Sequence, residues 1–214
     1  YIMSPHHYPV QYGVDYPEAG LSRLTTFFRM FTAIPVIVIL YFWAIAASIV
    51  LIISWFAIVF TKRFPRGMFD FLHRFMNYTA RATAYIYLQT DKFPSFSDEQ
   101  DVHLRIPYPE QGLSRWLPFV KWLLAIPHLI VISILAYAVM VVVFIAWFAI
   151  LFTGTYPRGM FDFVTGVTRW TYRMYAYTNL MRDEYPPFSM DGPNPGVAGT
   201  PDMGAAYAPQ TTTF

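Results

Sequence analysis

Two long apolar runs dominate the pattern along the chain, Phe31 to Phe60 and Leu123 to Phe152. As a helix, a run of about 30 residues is roughly 45 Å long, against a bilayer hydrocarbon core of about 30 Å. Each run is long enough to cross once with tilt, or to insert as a shallow hairpin, and too short for two full crossings. Val36 to Phe60 contains no Gly, Pro, Asn or Asp to make a tight turn, which favours one continuous tilted helix. Basic residues flank both ends of the first run: Arg23 and Arg29, then Lys62, Arg63 and Arg66. That favours both ends on one side of a membrane. The two signals conflict, and the missing turn residues carry the expectation.

Shorter elements flank each run. Leu21, Leu24, Phe28 and Phe31 share a helical face, as do Leu113, Trp116, Val120 and Leu123. Arg23 and Arg29 are matched by Arg115 and Lys121, so each run is expected to be entered through an interfacial amphipathic helix. Before it, VQYGVDYP from Val10 and VHLRIPYP from Val102 alternate with period two and end at Pro. Such a pattern reads as a short edge strand, and the two copies suit a small ribbon. After each run, Pro65 and Pro157 end one helix and open another. The second helix is expected from about Met68 to Leu88, and again from about Met160 to Met181. Asp70, His73, Arg74, Asn77 and Arg81 form a polar stripe on it, echoed by Asp162, Thr165, Arg169 and Arg173.

The parts recur because the chain repeats itself. Tyr16–Arg23 (YPEAGLSR) falls on Tyr108–Arg115 (YPEQGLSR) at an offset of 92 positions, with no insertion. FPRGMFDF from Phe64 falls on YPRGMFDF from Tyr156, and DKFPSFS from Asp91 on DEYPPFS from Asp183. A tandem duplication follows, in which each half folds alike. The expected architecture is an all-α integral membrane protein. Each repeat holds a short edge strand, an interfacial amphipathic helix, a long transmembrane helix and a second amphipathic helix. The divisions are an N-terminal arm (1–9), repeat 1 (10–98), repeat 2 (99–190) and an extended Pro/Gly-rich tail (191–214). If the second helix also crosses, the repeats share one orientation; if it lies in the interface, they are inverted. The tail can bury almost nothing alone, which points to a partner chain holding it. Tyr1 opens no signal-peptide layout, so the chain is read as a processed product or a part of a longer one.

Composition sharpens the membrane reading. Charged residues make up 13% of the chain, against roughly 25% in an average soluble domain. A net charge of +2 gives no reason to expect nucleic acid, and basic residues beside apolar runs suit lipid phosphates. There is no cysteine, which excludes disulfides, thiolate metal sites and a cysteine nucleophile. Arg66 with Asp70, and Arg158 with Asp162, are four apart at helix starts and are expected to pair. They form a structural corner whose Arg reaches lipid phosphate, and Gly67 and Gly159 permit a close approach there. Arg81 and Arg173 are the other charges kept in both stripes. They face a buried partner if the helix crosses, or snorkel if it lies flat. His73 and His128 are the candidates for ligating a haem or chlorin metal, against the commoner role of a hydrogen-bonded interfacial histidine; no cofactor is otherwise expected, and bound lipid is. Aromatics at the run ends, such as Trp55 and Trp147, read as interface belts, with a pigment or quinone groove as the alternative use. Asp98, Glu99 and Asp101 read as a solvated connector. No HExxH, phosphate loop or GxSxG is present, so no metal site and no catalytic residue is expected.

The order YPE-x-GLSR, AIP, WFAI-x-FT, YPRGMFDF and DxYPPFS resembles the bacterial membrane family catalogued as domain of unknown function 4389. The likeness covers both repeats, and the first departs from the pattern at Phe64, Ser95 and Val36. The resemblance implies a multi-pass protein of a prokaryotic cell membrane and no assigned reaction. Three readings follow. The first is a non-enzymatic accessory or scaffold subunit of a larger membrane complex, packed against partner subunits and phospholipid. The second is a lipid-binding or membrane-shaping protein, and the third a small transporter or channel built on the polar stripes.

Overall fold

The computed structural model describes residues 8–96 and 101–196. Most of the N-terminal arm, the Asp98–Glu99 part of the connector, and residues 197–214 of the tail lie outside the described residues. The elements are β1 (Gln11–Val14), α1 (Arg23–Thr61), α2 (Arg66–Ile86), β2 (Val102–Arg105), α3 (Leu117–Thr153) and α4 (Arg158–Thr178).

α1 runs unbroken for 39 residues and α3 for 37. The segment expected as a separate interfacial helix is therefore the first part of the same long helix, and the turn that a shallow hairpin needs is absent from the helix. Pro35 and Pro127 lie within these helices without ending them. α1 starts where the Ser22 hydroxyl accepts a hydrogen bond from the Thr25 N–H. It ends at Lys62, with φ 60°, and α3 ends at Gly154, with φ 77°. Both caps are left-handed, and each donates its N–H into the last turn of its helix. Pro65 and Pro157 then stand just before the first residues of α2 and α4, where a missing N–H costs nothing.

β1 and β2 pair antiparallel, with Tyr12 opposite Leu104. These residues are repeat equivalents, so a local two-fold axis relating the halves passes between them. α2 packs on α1, and α4 on α3. The ribbon packs on the far layer with its halves exchanged: β1 of the first repeat lies on α4, and β2 of the second on α2. α1 and α3 meet antiparallel. Trp55, late in α1, donates to the Pro118 carbonyl early in α3, while Trp147, late in α3, donates to the Thr26 carbonyl early in α1. The main core is common to both repeats, drawing on Tyr12, Phe69 and Met76 as well as Leu104, Phe161 and Tyr172.

The result is three layers: α1 and α3, then α2 and α4, then the ribbon. On α1 only a narrow stripe is buried, through Thr26, Arg29, Ala33, Val36, Ala47, Ser54 and Ile58. Exposed apolar side chains run along the rest of it from Leu24 to Phe60, and α3 repeats this from Phe119 to Phe152.

Candidate functional site

The duplicated phrases meet each other across the two-fold axis. Arg66, first residue of α2, does not pair with Asp70 but reaches Glu110 of the other repeat, at 2.7 Å. Arg158 likewise pairs with Glu18 rather than Asp162. Asp70 and Asp162 are exposed and form no ion pair among the described residues. The corner arginines are further held by rings. The Arg66 guanidinium lies 4.3 Å from the Tyr108 ring centre, and that of Arg158 lies 4.2 Å from that of Tyr16. Those tyrosines close the clasp. The Tyr16 hydroxyl donates to the Tyr156 carbonyl, and the Tyr108 hydroxyl to the Phe64 carbonyl. Two backbone bonds of 2.8 Å, Leu21 N–H to Gly154 and Leu113 N–H to Lys62, complete it.

The glycines that need their lack of a side chain are not those of the corner. A Cβ on Gly67 or Gly159 meets nothing within 4 Å. Gly20 and Gly112 instead adopt φ +81° and +80°, and a Cβ there would come within 2.8 and 2.9 Å of the Gly154 and Lys62 carbonyl oxygens. The YPE-x-GLSR turn is thus shaped to press against the opposite helix end.

A second repeated constellation was not singled out from the sequence. Asp91 accepts from the Ser22 N–H and pairs with the nearly buried Arg29 at 2.7 Å; Asp183 does the same for Ser114 and Lys121, the latter at 2.8 Å. Arg29 also donates to the carbonyls of Tyr85 and Thr90, and Lys121 to that of Arg182. These basic residues, read earlier as lipid-facing, turn inward and bind the end of the second helix to the start of the first. The repeated Asp of DKFPSFS and DEYPPFS was the signal.

Arg81 and Arg173 are both buried and turned to backbone. Arg81 donates to the Ser95 carbonyl at 2.9 Å, and Arg173 to the Ser189 carbonyl at 3.3 Å. Burial, helped by neighbouring Arg169, pushes the Arg173 guanidinium down to about 10. Each holds the segment that follows its own helix.

The histidines occupy unlike settings. His73 stacks on Phe69 and meets the Asn77 amide at 3.2 Å. His128 is fully buried, stacked on Phe188, and its Nδ1 accepts from the Trp170 N–H at 3.0 Å. A neutral ring in that arrangement carries its proton on Nε2, which is buried without a hydrogen-bond partner among the described residues. No group of three or more His, Cys, Asp or Glu is placed to hold a metal ion among the described residues.

Comparison with family models matches the chain twice, at residues 23–98 and 115–190, to the domain of unknown function (DUF4389). The chain belongs to that family, carrying the domain as two tandem copies. Most of each YPE-x-GLSR arm, the half of the clasp that crosses over, precedes the matched stretches. Comparisons with the curated proteins and with the solved structures give no match.

Proposed function

We propose that the protein is a non-enzymatic, membrane-inserted module that lies flat in one leaflet and shapes or organises the lipid around it. The carrying observation is the layering: one face is built from two exposed apolar helices, and the opposite face from a ribbon with polar loops.

Length and symmetry favour this posture over a crossing. From Leu24 to Phe60 the exposed apolar surface of α1 spans about 54 Å at 1.5 Å per residue. A single crossing needs only about 30 Å. Two antiparallel helices related by a two-fold axis can cross a bilayer only with that axis in the mid-plane, and the ribbon sits on the axis. Exposed Arg105 and the Asp15–His103 pair would then lie at mid-depth. Trp43, midway along α1, packs on Phe71 and Phe75 of α2, so exposed Arg74 would be at that depth too. Each charge at the centre of a bilayer costs at least about 2.5 kcal/mol. Lying flat, α1 and α3 meet acyl chains along their whole length and every one of these charges faces water. The large apolar face is explained in the same step. The resemblance implies a prokaryotic cell membrane, where the exposed end of β2 at Arg105 and the polar loops beside it offer partner subunits a platform. Arg81 and Arg173, engaged by backbone carbonyls, serve the fold in this reading rather than an ion path.

The absence of cysteine allows a direct test by single spin-labelled cysteines in reconstituted bilayers. Labels at Phe31, Phe42 and Phe60 are expected at one common depth, with a label at Arg105 in water. A deep Phe42 label between shallow Phe31 and Phe60 labels would reject the flat posture in favour of a crossing.

A further inference from the structure

A chamber of about 210 Å³ lies between α3 and the layer formed by α2 and α4. On its α3 side the wall is Ile132, Ala136 and Val139. On the other side it is rich in hydroxyls, among them Thr79, Thr83, Tyr87, Thr171, Tyr172 and Tyr175. No charged side chain lines it among the described residues. The threonine hydroxyls are already engaged: Thr79 and Thr171 donate to carbonyls one turn back, and Thr83 bonds Tyr172. The Tyr87 and Tyr175 hydroxyls make no hydrogen bond within the described residues and are free to donate. Burial, reinforced by Tyr175, holds the Tyr87 hydroxyl above the ordinary phenol range, so it keeps its proton.

Tyr87 is shared with a second space. The same side chain lines an adjoining groove of about 440 Å³ between the first part of α1 and the last part of α3. This groove is apolar, walled by Met30, Ala33, Leu88, Met140, Val143 and Trp147. Arg29 borders it but is bound to Asp91 and two carbonyls. Together the two spaces have the size of a small-molecule site, with a polar end and a long apolar end.

The duplication supplies an internal comparison. A second apolar groove of about 340 Å³, lined by Leu51, Trp55, Trp122 and Leu180, is the two-fold mate of the first. The tyrosines have no mates. At the equivalent positions Tyr87 is replaced by Asn179, Tyr172 by Ala80 and Tyr175 by Thr83. Tyr87 and Tyr172 thus add hydroxyls that their mates Asn179 and Ala80 lack, which a purely structural role for the repeat does not require, while Thr83, the mate of Tyr175, lines the same chamber.

We propose that chamber and groove hold one lipid of the isoprenoid-quinone type. Its flat, uncharged head occupies the chamber, with a carbonyl oxygen accepting from Tyr87 and Tyr175. Its apolar tail follows the groove beside Trp147. A phosphate headgroup does not suit the chamber, since no cation there would offset the loss of its hydration. The site holds one ligand per chain. It does not depend on how α1 and α3 lie in the bilayer.

The test uses the full chain in phosphatidylcholine nanodiscs, titrated with decylubiquinone, a short-tailed benzoquinone, with tryptophan quenching as the readout. Saturable binding at one quinone per chain is expected. Tyr87→Phe with Tyr175→Phe keeps both rings and is expected to weaken it about tenfold or more, while Asn179→Leu at the mate position leaves it unchanged. If the double variant does not fold, Ala136→Phe, which fills the chamber from α3, takes its place. Quenching that only follows partitioning into lipid, equal affinity in the variants, or displacement by phosphatidylglycerol would each overturn the proposal.

Discussion

Tyr12 and Leu104 face each other in the ribbon, and they are the same position in the two copies of the repeat. The molecule is therefore built about its own two-fold axis, and the clasp contacts across that axis come in two versions. This makes pairs of mutations informative in a way that single ones are not.

The tyrosine bonds of the clasp are the first such pair. Tyr16→Phe and Tyr108→Phe each delete one hydroxyl donated to a carbonyl of the other repeat. Each is expected to cost about 1 kcal/mol, and the two losses should be alike. Thermal unfolding in detergent measures both. The neighbouring ion pairs weigh less. Arg66 and Glu110 are 66% and 64% exposed, so Arg66→Ala should cost less than about 1 kcal/mol.

Glycine substitutions should separate the turn from the corner. Gly20→Ala and Gly112→Ala force a side chain into a left-handed conformation and against a carbonyl oxygen. Both are expected to destabilise by about 1 kcal/mol or more. Gly67→Ala and Gly159→Ala meet open space at the starts of α2 and α4, where Ala is the better helix former by up to about 1 kcal/mol. They should be neutral or stabilising in the same assay.

Asp91 carries two duties, capping the start of α1 and neutralising Arg29, whose side chain is 4% exposed. Asp91→Ala leaves that cation buried and unpaired, a loss of about 3–5 kcal/mol by analogy with other buried pairs. Arg29→Met added to Asp91→Ala removes the stranded charge without restoring the cap and should recover much of it. Failure of the double variant to improve on Asp91→Ala would assign the aspartate's effect to capping alone. Asp183→Ala, beside Lys121, is the matching experiment in the second repeat.

Much of the fold was legible. Gapless duplication, two long apolar helices, a second helix per repeat and a paired ribbon all follow from periodicity and from Pro and Gly placement. What the sequence could not give was the partner of each charge. Spacing of four residues pointed Arg66 to Asp70, yet Glu110, 44 positions away, is delivered by the symmetry axis together with the ring of Tyr108. Local rules see only neighbours along a helix. Gly67 drew notice because it stands in a repeated phrase, whereas the strained glycine was Gly112, whose φ depends on a helix end from the other repeat. The conflict between an unbroken helix and basic residues at both its ends was itself a signal. Both statements hold at once if α1 lies along the membrane surface, a posture that hydropathy windows are not built to recognise. His128 and Trp170 form a buried pair whose counterparts are Val36 and Tyr78, so the duplication did not announce it.

The clasp has a consequence for ancestry. Each half reaches over to close the other, and neither carries both sides of its own latch. A chain with a single copy would need a second molecule to do what the neighbouring repeat does here. The gene duplication therefore reads as a fused homodimer, with the polypeptide link turning a concentration-dependent encounter into a permanent one. Two separately expressed halves should find each other and rebuild the whole.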